Sequence, residues 1–151
     1  MRQTQDLAQL YQTDYLRWLD ETVERLRSGQ FEGLDWPNLI EELEAMGRNE
    51  RNALKSNQRV LLTHLLKWCY QPERRTEGWS RTINEHRDRL LDAIEQSASL
   101  KAEYEQAWAK SYERARRNAA RETGLPLETF PQQCPFDPWR ILDPDWWPSD
   151  G

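Results

Sequence analysis

The chain is poor in the residues that build metal sites, disulfide scaffolds and histidine active sites, with two cysteines, two histidines and six glycines in 151 residues. Cys69 and Cys134 are too few for a disulfide scaffold, and neither has a Cys or His neighbour at metal-ligand spacing. The glycines are scattered, so no phosphate-cradling glycine loop is present. We therefore expect two reduced thiols, no metal site and no cofactor, as is usual in the cytoplasm.

Long apolar runs are also missing from the sequence. The longest, Val60 to Leu66, is interrupted by Thr63 and His64, and it is far shorter than the ~20 residues of a membrane span. The first ten residues are polar, which does not fit a signal peptide. These absences predict a soluble cytoplasmic protein with no membrane partner.

The charge balance and the aromatic content restrict the partners and the fold. A formal net charge of −5 argues against a general nucleic-acid binder, although it leaves room for a local basic patch. Eight tryptophans argue for a folded chain, because a disordered chain lacks such large apolar rings. The length fits one helical domain over residues 1–151.

Apolar residues recur at three- and four-residue steps between cap and breaker residues, which predicts an all-α, four-helix-bundle-like domain. After Gly124 the chain holds six prolines and five Phe or Trp residues, which predicts an extended Pro/Trp-rich C-terminal arm over 125–151, packed on the bundle. The predicted main helices cover about 13–28, 36–70, 79–96 and 100–122.

The second predicted helix has a core-facing stripe that includes polar residues. This stripe consists of Leu39, Leu43, Met46, Glu50, Ala53, Asn57, Val60, His64 and Trp68. Glu50, Asn57 and His64 follow one another at seven-residue steps, so they lie nearly above one another on the helix. Each buried polar group without a partner costs ~1–3 kcal/mol. We therefore predict a hydrogen-bonded polar core network of Glu50, Asn57 and His64.

An alternative interpretation makes His64 catalytic. Arg59, four further residues and His64 resemble the arginine–histidine motif of the HEPN ribonucleases, which are dimeric helical bundles. That resemblance implies a histidine general base and an arginine that stabilises the phosphorane. The motif is short, and five helical steps place the two side chains about 140° apart. They would converge only if a second chain or bound RNA bridged them.

Cations gather near the end of the fourth predicted helix. Arg114, Arg117 and Arg121 share one face by their three- and four-residue spacing. They form a possible basic patch for phosphate or RNA, or they are ordinary cations that complement the helix dipole or the acidic second helix.

Several motifs, in order along the chain, resemble the bacterial domain of unknown function 29 family. They are Leu39-Ile-Glu-Glu-Leu-Glu-Ala-Met-Gly47-Arg48, His64-Leu-Leu-Lys67-Trp68, Gln71-Pro72-Glu73-Arg74, Ser99-Leu100, Gly124-Leu-Pro and Phe130-Pro131. The resemblance runs from Leu10 to Pro148 and implies an all-helical fold and a bacterial source. It implies no established activity. The family pattern has Gln where this chain has His86, which weakens a functional role for His86.

These observations favour a non-enzymatic helical protein-interaction module that assembles with itself or with a partner protein. The alternative is a HEPN-like ribonuclease or toxin-type enzyme that uses Arg59 and His64. The enzyme requires His64 to be accessible in a groove lined by basic residues, whereas the interaction module predicts a buried, hydrogen-bonded His64.

Overall fold

The structure, a computed structural model, describes residues 6–149. Within this range every regular element is helical, so the all-α prediction is confirmed. The five α-helices are α1 (Leu7–Thr13), α2 (Tyr15–Arg27), α3 (Trp36–Tyr70), α4 (Glu77–Gln96) and α5 (Leu100–Thr123). A short 3-10 helix lies between α3 and α4 at Pro72–Arg74, and two more follow α5 at Leu127–Thr129 and Arg140–Leu142.

The chain groups into two compact units, Met1–Asn49 and Glu50–Gly151, which we call the N-terminal unit and the C-terminal unit. Helix α3 contributes residues to both. The single domain expected over residues 1–151 stays a prediction, and the last two residues of the predicted arm, 150 and 151, lie outside the described range.

The start of the chain differs from the prediction, because a short helix precedes the first predicted one. The Asp6 side chain accepts a hydrogen bond from the Ala8 amide and caps α1, and Asp14 accepts from the Arg17 amide and caps α2. Asp14 itself has φ −151° and ψ 84°, which breaks the helix. Two aspartate caps eight residues apart therefore divide this segment into two helices.

The N-terminal unit has a small core around one tryptophan. Leu7, Leu10, Trp18 and Leu34 are buried, and the Trp18 side chain is fully enclosed. The Trp18 indole Nε1 donates to Asp35 Oδ2 at 3.2 Å, and Asn38 Nδ2 donates to the same oxygen at 2.6 Å. Asp35 therefore joins α2 to the first turn of α3, and its buried carboxylate has hydrogen-bond donors from both helices.

A second carboxylate joins the same helices nearer the surface. Glu42 accepts one hydrogen bond from the Tyr11 hydroxyl at 2.6 Å and another from the Tyr15 hydroxyl at 2.7 Å. The hydrogen bond from Tyr11, followed by that from Tyr15, lowers the pKa of Glu42 below its ordinary value of 4.5. The bond to Glu42 in turn raises the pKa of Tyr11 to about 12.

The C-terminal unit is built on a larger core. The second half of α3 packs with α4 and α5 through Leu61, Leu65, Ile83, Leu90 and Tyr104, each with no exposed surface. The arm adds Phe130, Phe136, Ile141 and Leu142 to this core. The prediction that a Pro/Trp-rich arm packs on the helices is therefore confirmed.

The buried face of α3 in the C-terminal unit differs from the predicted stripe by one residue. The observed face carries Leu54, Gln58, Leu61, Leu65 and Cys69, where the prediction had Ala53, Asn57, Val60, His64 and Trp68. One residue corresponds to about 100° around a helix. The pairs Leu61–Leu62 and Leu65–Leu66 are buried together. Burial of these leucines turns α3 so that Asn57 and His64 lie at the edge of the core, where they are half-buried.

Arg87 on α4 holds the arm in place, although it is fully buried and forms no ion pair within the described residues. Its Nε donates to the Ile141 carbonyl at 2.7 Å, its Nη1 to Pro144 and its Nη2 to Trp146. The guanidinium also lies over the Trp147 ring. Burial lowers the pKa of Arg87, and the negative charge of Asp143 opposes that shift. The three carbonyl acceptors also hydrogen-bond the buried guanidinium, so the charge is not buried without partners.

Other side chains satisfy the remaining carbonyls of the arm. The Tyr104 hydroxyl donates to Pro138, the Tyr112 hydroxyl to Pro131, and Arg116 Nε to Phe130. Proline has no amide proton and cannot pair as a strand or a helix would. The helices therefore provide hydrogen-bond donors that the arm cannot provide for itself.

Replacing Arg87 tests this arrangement. We expect Arg87→Ala to lower the free energy of unfolding by about 2–4 kcal/mol, because three arm carbonyls lose a charged donor. Urea unfolding followed by circular dichroism measures the change. The matched control is Arg89→Ala on the same helix, whose exposed ion pair with Glu85 is worth about 0.5 kcal/mol or less. Equal midpoints for the Arg87 variant and the wild type would contradict this role.

The tyrosine–glutamate contact predicts a dependence on pH. Glu42→Gln should reduce the amide-exchange protection of α1 and α2 at pH 7, where the carboxylate is charged. Because the folded pKa of Glu42 lies below 4.5, the stabilisation is present above that pH and is lost as the pH falls through the folded value. The difference between wild type and variant should therefore vanish at low pH. Glu41→Gln serves as the control, and an unchanged difference at pH 3 would refute the assignment.

Candidate interaction surfaces

A groove with a basic lining runs between α3 and α5 in the C-terminal unit. The two helices are joined by Gln58, whose Nε2 donates to the Tyr104 carbonyl at 2.9 Å, and by an ion pair of 3.3 Å between Arg51 and Glu103. Beside these contacts lie two adjoining cavities that share Arg59 and Arg114. We call them together the basic groove.

The two cavities of the basic groove differ in lining. The larger, of about 410 Å³, is lined by Arg59, Arg114, Arg117, Asn118 and Arg121. The smaller, of about 240 Å³, has Lys55, Arg59, Glu103, Gln106, Lys110, Ser111 and Arg114 among its lining residues. Among residues 6–149, the larger cavity is therefore lined by four arginines and by no carboxylate. The smaller one adds two lysines, neutral hydrogen-bonding groups and the carboxylate of Glu103.

Most of these cations lack an anionic partner within the described residues. The carboxylate of Glu103 is engaged by Arg51, and Arg117 pairs with Glu113 at 2.7 Å. Arg59, Arg114 and Arg121 form no ion pair with any residue of the described range. The structure thus places the three arginines of the predicted basic patch together and adds Arg59 from the opposite helix.

Lys55 and Lys110 were not included in the predicted patch. Lys55 lies one helical turn before Arg59 on α3, and Lys110 lies one turn before Arg114 on α5. The four-residue spacing that grouped the arginines of α5 also applies to these pairs. The spacing in the sequence therefore groups the cations within each helix. It does not show that α3 and α5 bring the two groups together.

His64 lies away from the basic groove. Its Nδ1 forms a hydrogen bond with the Val60 carbonyl at 3.0 Å, and the side chain is half-buried. Burial lowers the pKa of His64, and the hydrogen bond with the Val60 carbonyl opposes this shift. His64 lines neither cavity of the groove, so a single chain does not bring Arg59 and His64 together there.

The other two members of the predicted polar core network, Glu50 and Asn57, are not fully buried either. Glu50 is exposed and Asn57 is half-buried. Placing Glu50 in the core was therefore wrong, for the same one-residue rotation that moved the stripe of α3. The buried polar residue on this face is Gln58, which the prediction did not include.

The two cysteines both lie in the C-terminal unit. Cys69 is buried and its Sγ donates to the Ser149 carbonyl at 2.9 Å, while Cys134 is half-buried. Burial raises the pKa of Cys134 to about 11, which keeps it a thiol at neutral pH. Within residues 6–149 no group of three His, Cys, Asp or Glu side chains could hold a metal ion, and no helix there is long and apolar enough to cross a membrane.

The second notable surface is apolar and lies in the N-terminal unit. Helix α2 exposes Leu16, Val23 and Leu26, and α3 exposes Trp36, Ile40, Leu43 and Met46. Both sets follow the three- and four-residue helical spacing, so each forms a stripe along its helix. Leu16, Leu43 and Met46 are 67%, 61% and 63% exposed. We call these two sets the apolar stripes.

Comparison with known proteins agrees with the motifs in the sequence. A family model described as "Domain of unknown function DUF29" matches residues 10–147 of the chain. No curated protein and no solved structure matches it. Because the match covers nearly all of the 151 residues, from α1 to position 147 of the arm, the predicted family is confirmed and the chain belongs to the DUF29 family.

Proposed function

We propose that this protein is a non-enzymatic helical interaction module of the bacterial cytosol, and that it self-associates through the apolar stripes of its N-terminal unit. The observation that carries the proposal is the exposure of seven large apolar side chains at helical spacing on α2 and α3. Monomeric proteins rarely expose apolar patches above a few hundred Å². The chain has only two cysteines, too few for a disulfide scaffold, which supports a reducing compartment.

The size of the stripes supports a second copy as the partner. Tyr15 and Phe31 are also about half exposed in this unit, which makes nine large apolar side chains with the seven of the stripes. At on the order of 100 Å² each, they approach the ~800 Å² that one partner contributes to a standard interface. A dimer that buries both stripes would therefore have enough apolar area to be stable.

The charges beside the stripes include pairs formed within the chain. On α2, Arg17 pairs with Glu21 at 3.1 Å, and on α3, Arg48 pairs with Glu41 at 2.7 Å. The apolar side chains are therefore the main groups that self-association would bury. In an isologous dimer the same surface of each copy takes part, so every such contact is made twice.

Sedimentation equilibrium tests the proposal. We expect the wild type to dimerise in a concentration-dependent way and Ile40→Ser combined with Leu43→Ser to be monomeric, because each loses its apolar contact area. Leu91→Ser is the matched control, since Leu91 is 41% exposed but lies on α4 in the C-terminal unit. Circular dichroism checks that all variants fold.

Two outcomes would contradict this proposal. A wild type that stays monomeric at the highest soluble concentration would exclude self-association. Equal weakening by Leu91→Ser and by the double variant would show that the stripes are not the interface.

The ribonuclease alternative requires a different arrangement of Arg59 and His64, supplied by a second chain or by bound RNA. Its motivation is that Arg59 lines the basic groove. We expect no cleavage of a single-stranded RNA on a denaturing gel. Cleavage that disappears in both Arg59→Ala and His64→Ala, but not in Arg48→Ala, would replace the interaction module with the enzyme.

A further inference from the structure

The basic groove concentrates positive charge in a protein whose formal net charge is −5. Arg59 from α3 and Arg114, Arg117 and Arg121 from α5 line one cavity that has no carboxylate in its lining from the described part of the chain. Like charges that converge on one cavity repel one another, and the repulsion grows as the local dielectric constant falls. An arrangement that leaves this repulsion uncompensated is one that an anion would stabilise.

The intramolecular partners do not neutralise the groove. Arg117 is held by Glu113 on its own helix, at an exposed site where such a pair is weak. Arg59, Arg114 and Arg121 have no carboxylate partner in the described range, and neither do Lys55 and Lys110. Five cations of the groove therefore remain available to a ligand.

The type of cation indicates the type of anion. Arginine presents a planar fork of donors that matches the oxygens of phosphate or carboxylate in pairs, whereas lysine is a point charge. Arg114, Arg117 and Arg121 lie within eight residues of one helix, over ~10 Å at 1.5 Å per residue. Such compact charge suits linked phosphates, which carry several charges in a small volume, better than carboxylates spaced along a peptide.

The residues that line the groove favour recognition of phosphate groups over recognition of nucleic-acid bases. No aromatic side chain of residues 6–149 lines either cavity, whereas proteins that bind single-stranded RNA stack its bases on aromatic rings. The smaller cavity instead offers Gln106 and Ser111 beside Lys55 and Lys110. These groups can hydrogen-bond further phosphate oxygens or a sugar.

We infer that the basic groove binds a chain of linked phosphate groups, with Arg59, Arg114 and Arg121 as its principal ligands. This site is independent of the proposed self-association, because it lies in the C-terminal unit and the apolar stripes lie in the N-terminal unit. The linked phosphates can come from inorganic oligophosphate or from the 5′ end of a nucleoside triphosphate.

Isothermal titration calorimetry with the full chain tests the inference, at about physiological ionic strength, where weak surface attraction is screened. The probes are inorganic triphosphate, ATP and a single-stranded oligo(U) RNA. We expect triphosphate to bind, and Arg59→Ala and Arg114→Ala each to weaken binding about 10-fold or more, because a charge-assisted hydrogen bond is lost. Arg89→Ala, an exposed arginine on α4, is the control and should bind as the wild type.

Further variants and probes identify the source of the phosphates. Arg114→Lys keeps the charge but loses the fork, so it should recover only part of the affinity. Equal affinities for triphosphate and ATP would assign the site to the phosphate chain alone, and tighter ATP binding would assign the smaller cavity to the nucleoside. Both results support the inference.

Three results would overturn the inference. They are no binding of triphosphate, binding that Arg59→Ala and Arg114→Ala leave unchanged, and RNA binding that triphosphate does not compete away. Sedimentation of the Arg59→Ala variant separates this site from the proposed dimer, because its association state should equal that of the wild type. Circular dichroism of each variant confirms that a loss of binding is not a loss of fold.

Discussion

The C-terminal unit depends on the hydrogen bonds that Arg87 donates to the carbonyls of the arm. The arm has almost no regular backbone pairing of its own, so its buried carbonyls need donors from elsewhere. Arg87, Tyr104, Tyr112 and Arg116 supply them from α4 and α5. Buried donors on the helices thereby turn a proline-rich segment into part of the core.

The position of the arm also divides α5 into two sides with different roles. Arg116 donates to the Phe130 carbonyl and belongs to the packing of the arm. Arg114 and Arg121 line the groove beside α3, and no ion pair joins either of them to a carboxylate of the described residues. Arginines on one helix therefore have two roles. Arg116 stabilises the arm, whereas Arg114 and Arg121 line the candidate ligand site.

The two candidate surfaces differ in chemistry and lie in different units. The apolar stripes of the N-terminal unit suit a protein partner, because area removed from water drives such association. The basic groove suits a small anion, because arginine forks recognise oxygens in pairs. A module with both would link assembly and anion binding in one chain, and the two sites can be removed separately by substitution.

The sequence by itself determined the four longer helices, the arm and the family, because caps, breakers and motifs act locally: Asp14 caps α2, Pro72 follows α3, and Gly124 ends α5 with φ 74°. It left the phase of α3 open, since adjacent leucines such as Leu61 and Leu62 support two neighbouring stripes equally. Only the tertiary structure decided which face is buried, and hence that Glu50 is exposed and His64 lies outside the groove. It alone brought Arg59 to Arg114, because residues far apart in sequence meet only when α3 packs beside α5.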